Sequence, residues 1–187
     1  MPQETYWKVP FEWTVSLPPV EDSLPEGWLW CDGTTLEAPV GLVADVLMNS
    51  PGPEDARAVD QFGAVEAARR TIALAPGFSY LRSRWHVVMV RQTMAGFVLP
   101  VVYDGCERDG LDEATIYHMG VAPEYRGRGI GRLLLRRATR MLVNHGVWRV
   151  YCDTPSNDYP MIHLFETERW ARLPDHERPI TTPGIAG

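Results

Sequence analysis

The sequence predicts an α/β fold built as one domain behind a short N-terminal arm. The chain has 187 residues, which is enough to bury a substantial core and leaves little room for a second domain. After residue 85, segments rich in β-branched residues alternate with helical patterns, as is typical of α/β proteins. The clearest helix is predicted over residues 130–144. Its apolar side chains recur every three and four positions and form one stripe: Ile130, Leu133, Leu134, Ala138, Met141 and Leu142.

The remaining elements follow from turn residues and local patterning. Residues 1–23 are rich in proline and acids, so we expect an irregular arm, with at most a short strand over 11–17. The first half of the domain is predicted to contain a strand over 28–31, a helix over 36–48 capped by Thr34 or Thr35, and a helix over 54–74. The second half is predicted to contain a hairpin of strands over 85–91 and 96–103, a strand over 114–121, the helix over 130–144 ended by Gly146, a strand over 147–152 and a helix over 160–170.

Charge is distributed unevenly along the chain. Residues 1–66 carry twelve acids and two basic residues, a net charge of −10, whereas residues 67–149 carry thirteen arginines and six acids, a net charge of +7. A solvated surface of uneven charge accounts for this pattern. The alternative is a basic patch for a small polyanion beside an acidic surface for a cation. Nucleic acid is disfavoured as a partner, because the overall pI is about 5.4 and no nucleic-acid-binding motif is present.

Several classes of protein are disfavoured by simpler features. No apolar run approaches the roughly 18 residues of a membrane span, and residues 1–11 lack the apolar core of a secretory signal. The three cysteines, Cys31, Cys106 and Cys152, are odd in number and far apart, which favours a reducing compartment and a cytoplasmic location. Neither CxxC nor HExxH occurs, so no metal site is expected.

A glycine-rich turn lies between a predicted strand and the clearest helix. Gly127, Gly129 and Gly131 let the backbone curl so that several N–H groups point at one spot. The helix N-terminus adds unpaired donors, so the segment is suited to a pyrophosphate. A Walker A loop is excluded because no Gly-Lys pair occurs. A dinucleotide fingerprint remains an alternative, since Asp153 stands where a ribose-binding acid would, but its third glycine is Leu134 here. A purely structural turn is the other alternative.

The pattern Arg126-x-x-Gly129-x-Gly131, preceded by Met119, Val121 and Pro123, resembles the acyl-CoA site of the GNAT superfamily of N-acetyltransferases. The resemblance is strongest over residues 115–170. It implies that residues 24–187 form a GNAT-like mixed, mostly antiparallel sheet flanked by helices, with a splayed strand pair that holds acetyl-CoA as co-substrate. The cofactor-binding residues that it implies are Met119, Gly120, Val121, Arg126, Gly127, Arg128, Gly129, Ile130, Gly131, Arg132, Asn157 and Phe165.

The resemblance also implies direct attack of a neutral amine on the acetyl thioester, which needs a base and an acid. Counting by twos back from Met119 places Tyr117, Thr115 and Glu113 on one strand face. Glu113 is the candidate base and Tyr117 could hold a water or the substrate, whereas His118 is expected to pack on the opposite face.

The general acid departs from the family pattern. Phe165 stands where the family's usual tyrosine would protonate the thiolate, and a phenyl ring cannot donate a proton. Either the thiolate leaves unassisted, which a thiol pKa near 8.5 allows, or another group serves. Tyr159, Tyr117 and Cys152 are the candidates.

The expected function is therefore transfer of an acetyl group from acetyl-CoA to a primary amine of a small molecule or protein. The acidic first 66 residues hint at a cationic acceptor. The alternative is an acyl-CoA-binding sensor or a catalytically idle GNAT-like module, which Phe165 motivates, and a dinucleotide-binding oxidoreductase comes third. The aromatic residues near the N-terminus are expected to cover the core, and a homodimer patch is the alternative for them: Trp7, Trp13, Trp28 and Trp30.

Overall fold

The computed structural model describes residues 4–14, 21–33, 38–80 and 85–181. The strands within these residues are β1 (Thr5–Thr14), β2 (Trp28–Asp32), β3 (Phe78–Tyr80), β4 (His86–Val90), β5 (Thr93–Tyr103), β6 (Asp112–Val121), β7 (Val147–Pro155), β8 (Ala171–Arg172) and β9 (His176–Pro179). The helices are α1 (Val40–Met48), α2 (Pro53–Phe62), α3 (Ala64–Ala73), α4 (Ile130–His145) and α5 (Tyr159–Thr167). A short 3-10 turn, Pro123–Tyr125, precedes α4.

The described strands form one mixed sheet. Its order is β2-β4-β5-β6-β7-β1-β8, with β3 beside β5 and β9 beside β1. Within the described residues, β6 and β7 pair in parallel and the other pairings are antiparallel. The prediction of a mostly antiparallel central sheet flanked by helices is confirmed.

Helices cover both faces of this sheet. On one side, which we call the α1–α3 face, Leu42 and Val43 of α1 pack with Phe97 and Leu99 of β5. On the other side, the α4–α5 face, α4 and α5 bury a second apolar layer. Burial of each large apolar side chain contributes roughly 1.5–3 kcal/mol. The stripe predicted for α4 is largely confirmed, since its buried residues are Ile130, Leu134, Leu135, Ala138, Thr139 and Leu142.

The prediction of an irregular arm is wrong for residues 5–14, which form β1 in the interior of the sheet. Seven residues of β1 pair with β7. Val9, Phe11 and Trp13 are almost fully buried on the α4–α5 face, and the residues between them point to the other side. Pro10 has no N–H to donate to a neighbouring strand, but its carbonyl accepts a hydrogen bond from the Leu173 N–H at 2.9 Å.

Other elements differ from prediction in detail. The single helix over 54–74 is divided into α2 and α3 at Gly63, where φ is +76°. The predicted hairpin is confirmed, with a tighter two-residue turn at Arg91 and Gln92, both at positive φ. Strands β3, β8 and β9 are too short for a periodicity signal and were not predicted. The proposed caps Thr34 and Thr35 lie outside the described residues.

The aromatic residues near the N-terminus have mixed positions. Trp13 is in the core, and Trp28 and Trp30 are half-buried against it, so these three cover the core as expected. Trp7 has 54% of its surface exposed. A homodimer stays a prediction.

Candidate active site

Strands β6 and β7 separate and leave an opening in the sheet. Their pairing covers residues 112–114 of β6 and 147–150 of β7. Beyond this point β6 pairs with β5 as far as Val121, and β7 pairs with β1 as far as Pro155. Residues 115–121 and 151–155 therefore border a V-shaped gap, which we call the cleft. The splayed strand pair that the sequence predicted is confirmed.

A β-bulge lies in the middle of the cleft edge of β6. His118 pairs with Leu99 and Ile116 pairs with Pro100, so Tyr117 is an extra residue with no partner of its own in β5. An extra residue shifts the alternation of side chains by one position.

The bulge turns two consecutive side chains toward the α1–α3 face. Tyr117 packs against the apolar core of that face. His118 stacks on Phe97 of the same core, with 5.7 Å between ring centroids, and its Nε2 atom is buried with no hydrogen-bond partner among the described residues. Met119 packs on the α4–α5 face. The predictions that Tyr117 and Met119 share a face, and that His118 opposes Tyr117, are therefore wrong.

The glycine turn lies where β6 leaves the cleft. Gly129 immediately precedes α4 and has a left-handed conformation, with φ +79° and ψ +2°. The first hydrogen bond of the helix runs from the Leu133 N–H to the Gly129 carbonyl at 3.3 Å. The N–H groups before Leu133 have no acceptor within the helix, and they carry the positive end of its dipole. An anion at this turn would meet several aligned donors.

The arginines near the turn divide into two groups. Arg132 and Arg136 both bind Glu168, a carboxylate with a side chain only 6% exposed, at 3.0 and 2.7 Å. Arg126 and Arg128 instead donate to backbone carbonyls, and no carboxylate of the described residues forms an ion pair with them. Their charge remains available to an anion at the turn, whereas Arg132 shares the Glu168 carboxylate with Arg136.

The loop between α1 and α2, residues 49–52, crosses the open end of the cleft. On the β6 side, Nη2 of Arg126 donates to the Asn49 carbonyl at 3.4 Å. On the β7 side, Nδ2 of Asn157 donates to the Pro51 carbonyl at 3.1 Å. Two residues predicted to bind the cofactor, Arg126 and Asn157, thus also hold the α1–α2 loop over the cleft.

The structure does not bring the three predicted catalytic residues together. Glu113 lies at the paired end of β6, where Arg149 donates to its Oε1 from Nε and Nη2 at 2.8 and 2.5 Å. Tyr159 begins α5 and is 73% exposed. Tyr117 lies in the bulge on the cleft edge. Burial raises the pKa of Tyr117, and a hydrogen bond from the backbone of Ala75 only partly opposes this increase. The hydroxyl therefore keeps its proton at neutral pH.

Two further residues of interest lie in or beside the α4–α5 core. The Phe165 ring is 3% exposed and stacks on Phe11 at 4.8 Å between centroids, with Trp170 on its other side. Cys152 faces the vertex of the cleft, where its Sγ accepts a hydrogen bond from the Ile116 N–H at 3.4 Å. Burial raises the pKa of Cys152 to about 12, so it is a weak acid. The cofactor contact of Phe165 stays a prediction.

A charged cluster on the α1–α3 side of the cleft was missed by sequence reasoning. Nζ of Lys8 lies 2.7 Å from Oδ1 of Asp153 and 3.4 Å from Oε2 of Glu54. Burial opposes the charge of Lys8, but Asp153 and Glu54 outweigh it and raise the pKa of the ammonium above its usual range. Tyr6 hydrogen-bonds Glu54, and burial followed by this bond raises the pKa of its phenol. One signal was available: Lys8 is the single lysine of the sequence.

The structure rules out the dinucleotide alternative. A dinucleotide-binding fold is built on a mostly parallel sheet. Here β6 with β7 is the one parallel pair of the described strands. The Asp153 carboxylate, moreover, is engaged by Lys8, with Arg178 at 3.6 Å.

A comparison of the sequence with known families decides the assignment. The model described as the acetyltransferase (GNAT) family matches residues 54–169, more than half of the chain. The chain belongs to the GNAT family of acetyltransferases. The matched region contains α2 with Glu54, the β6 bulge, the glycine turn and α5.

Two bacterial acetyltransferases are similar in sequence to a short segment of this chain. A [ribosomal protein bS18]-alanine N-acetyltransferase of Salmonella typhimurium is 33% identical over 57 residues, and the Escherichia coli K12 protein of the same name matches equally. That segment covers 30% of this chain and 38% of each relative. The match therefore spans well under half of these relatives.

Solved structures share the fold over nearly the whole chain. A GCN5-related N-acetyltransferase from Sphaerobacter thermophilus has a TM-score of 0.58 at 18% identity, covering 98% of this chain and 54% of its own. The ribosomal-protein-S18-alanine N-acetyltransferase from Escherichia coli has a TM-score of 0.53 at 17% identity, covering 86% of this chain and 96% of its own. At these identities the likeness establishes the fold.

Proposed function

We propose that this GNAT protein transfers the acetyl group of acetyl-CoA to a primary amine of a small molecule or protein. The observation that carries the proposal is the cleft between β6 and β7, which leads directly to the Gly129 turn and the N-terminus of α4. An extended chain with amide groups can lie against the unpaired edge of β6 as an added strand would. The pantetheine arm of acetyl-CoA has this shape and these groups.

The two ends of the cofactor would meet different parts of the site. The pyrophosphate is proposed to bind the backbone N–H groups between Arg126 and Gly131, with charge supplied by Arg126 and Arg128. Met119, Gly120 and Val121 would flank the pantetheine arm. The thioester would then lie deeper in the cleft, near the Tyr117 bulge and the Cys152 thiol.

The reaction requires a neutral amine, because an ammonium has no lone pair with which to attack. The amine nitrogen bonds to the thioester carbonyl carbon while the carbon–sulfur bond breaks. The nitrogen loses a proton as it becomes an amide, and the thiolate takes up a proton. Tyr117 is the hydroxyl that we propose near the reacting atoms, since Tyr159 is largely exposed and Phe165 has no hydroxyl. Glu113 is less suited to serve as base, because Arg149 occupies its carboxylate.

The proposed location is the cytoplasm. Its support is that Cys31, Cys106 and Cys152 are all free thiols, as is usual in a reducing compartment. None of the described helices is long and apolar enough to cross a membrane.

Calorimetric titration with acetyl-CoA tests the cofactor site, with NADH as the negative control. We expect saturable binding that Gly129→Glu abolishes, because the variant puts a carboxylate where the pyrophosphate would bind. Gly105→Glu is the matched control: Gly105 also has positive φ, at +75°, but lies in the loop at the opposite end of β6. Equal binding by wild type and Gly129→Glu would refute the proposed site.

Release of free CoA thiol in the presence of amines tests the transfer. A suitable panel contains spermidine, a lysine peptide and a peptide with a free amino-terminal alanine, the residue named in the bS18 relatives. Turnover of any of them supports the enzyme. Tight acetyl-CoA binding without transfer to any amine would favour the sensor or idle module instead.

A further inference from the structure

Glu54 lies beside the cleft, at the start of α2. It is in the first turn of α2, directly after the α1–α2 loop that Arg126 and Asn157 hold across the cleft. Its carboxylate contacts Lys8 of β1, and its charge acts on the buried phenol of Tyr117 in β6. Lys8 in turn contacts Asp153 of β7, so Glu54 is connected to the β7 side of the cleft.

The Glu54 carboxylate is held in place without being saturated. Lys8 lies 3.4 Å from Oε2, longer than a good charged hydrogen bond, because its close partner is Asp153 at 2.7 Å. The Thr181 hydroxyl donates to Oε1 at 3.0 Å, and Tyr6 also hydrogen-bonds the carboxylate. A carboxylate offers about four lone-pair sites. Counting the partners among the described residues, at least one site remains for a further donor, and 27% of the side chain is open to solvent.

Asp153 is less available than Glu54. Nζ of Lys8 lies 2.7 Å from Oδ1 of Asp153, and Arg178 and His176 lie 3.6 and 3.9 Å from Oδ2. Its side chain is 14% exposed, half the exposure of Glu54. Asp55, next to Glu54 on α2, is engaged by the Ser50 hydroxyl. Of the two carboxylates that contact Lys8, Glu54 is the more exposed to solvent.

We propose that Glu54 binds the acceptor as an ammonium, before the amine loses its proton and attacks, and makes the protein selective for cationic amines. This inference rests on the proposed function, whose acceptor site it deepens. The neighbourhood already accommodates an alkylammonium, since that of Lys8 lies between Glu54 and Asp153. A second ammonium, arriving from the cleft, would take the free side of Glu54 and lie close to the Tyr117 bulge.

Glu54→Gln tests the proposal, because it keeps the shape and removes the charge. The probe is a peptide with a free amino-terminal alanine. The matched control is the same peptide with a propanoyl group in place of that alanine, so that the control peptide lacks the ammonium. We expect Glu54→Gln to weaken binding of the free-amine peptide to the CoA-loaded protein by about 10- to 100-fold, as for loss of a charged hydrogen bond. Binding of the propanoyl peptide and of acetyl-CoA should not change.

Asp60→Asn is the control variant, since Asp60 is an exposed acid on the same helix and contacts none of the cleft residues described above. Glu54→Asp should recover part of the preference for the free amine. Equal loss of both peptides in Glu54→Gln, or no loss of either, would overturn the proposal. If amine binding depends on Glu54 but no acetyl group is transferred, the proposed function is refuted and the amine-binding site is still supported.

Discussion

Replacing Gly120 with alanine would drive a methyl group into α1. A Cβ built at Gly120 lies 2.3 Å from Cγ1 and 2.9 Å from Cγ2 of Val46. Carbon atoms pack best at about 3.5–4.0 Å, so the overlap with the nearer methyl exceeds roughly 1 Å. Val46 is 6% exposed and β-branched, which leaves it almost no alternative rotamer in a helix. The strand and the helix must therefore move apart.

The expected cost of Gly120→Ala is about 1–3 kcal/mol of unfolding free energy, the usual range for overpacking a core. Val46→Ala removes both clashing methyls and by itself costs about 1–3 kcal/mol through lost burial. If the overlap is the cause, the double variant is more stable than the sum of the single effects predicts, by about 1–2 kcal/mol. Urea unfolding measures all three, with the midpoint shifting at constant slope.

Gly41→Ala is the internal control for this cycle. Gly41 is exposed in the same helix, and a Cβ there would meet no atom within 4 Å. We expect it to stabilise the protein by about 0.5–1 kcal/mol through helix propensity alone. A Gly120→Ala protein as stable as wild type, or strict additivity in the double variant, would show that β6 and α1 do not approach as the structure has them.

Two further expectations concern ionisable groups. Burial, followed by the charge of Arg137, lowers the pKa of His86 from 6.5 to about 4, so the folded state favours the neutral ring. Stability is then complete above pH 6.5 and falls by roughly 3 kcal/mol as the pH drops toward 4, and His86→Gln should flatten this part of a pH series of urea midpoints. Iodoacetamide at pH 8 should alkylate the exposed Cys106 and spare Cys152 until the protein unfolds, as read by peptide mass spectrometry. Early labelling of Cys152 would contradict its burial.

Features set by neighbouring residues could be predicted from the sequence. The α4 stripe and its end at Gly146, where φ is +97°, depend on spacing and on one glycine. The Gly129 turn is likewise local, because positive φ selects glycine regardless of the rest of the fold. Strand β1 had the alternation of Val9, Phe11 and Trp13 as its signal, but the surrounding prolines outweighed it.

Features set by contacts between distant segments could not be predicted. The β6 bulge depends on the pairing register of β5 and β6 at Leu99 and His118, and no residue type in β6 predicts the bulge. Lys8 and Asp153 are separated by 145 positions and meet only because β1 pairs with β7. Counting side chains by twos assumes an unbroken strand. The prediction that Tyr117 and His118 lie on opposite faces was therefore wrong at the bulge.

Packing and chemistry are connected through α1. The absence of a side chain at Gly120 lets Val46, in the last turn of α1, approach the cleft strand. The α1–α2 loop begins shortly after Val46, and two side-chain donors, from Arg126 and Asn157, hold this loop across the cleft. Glu54 follows the loop directly, so its distance from Tyr117 depends on this whole chain of contacts. A glycine within a strand costs stability by itself. Near the end of β6, it is a condition for the position of the carboxylate that we propose to select the acceptor.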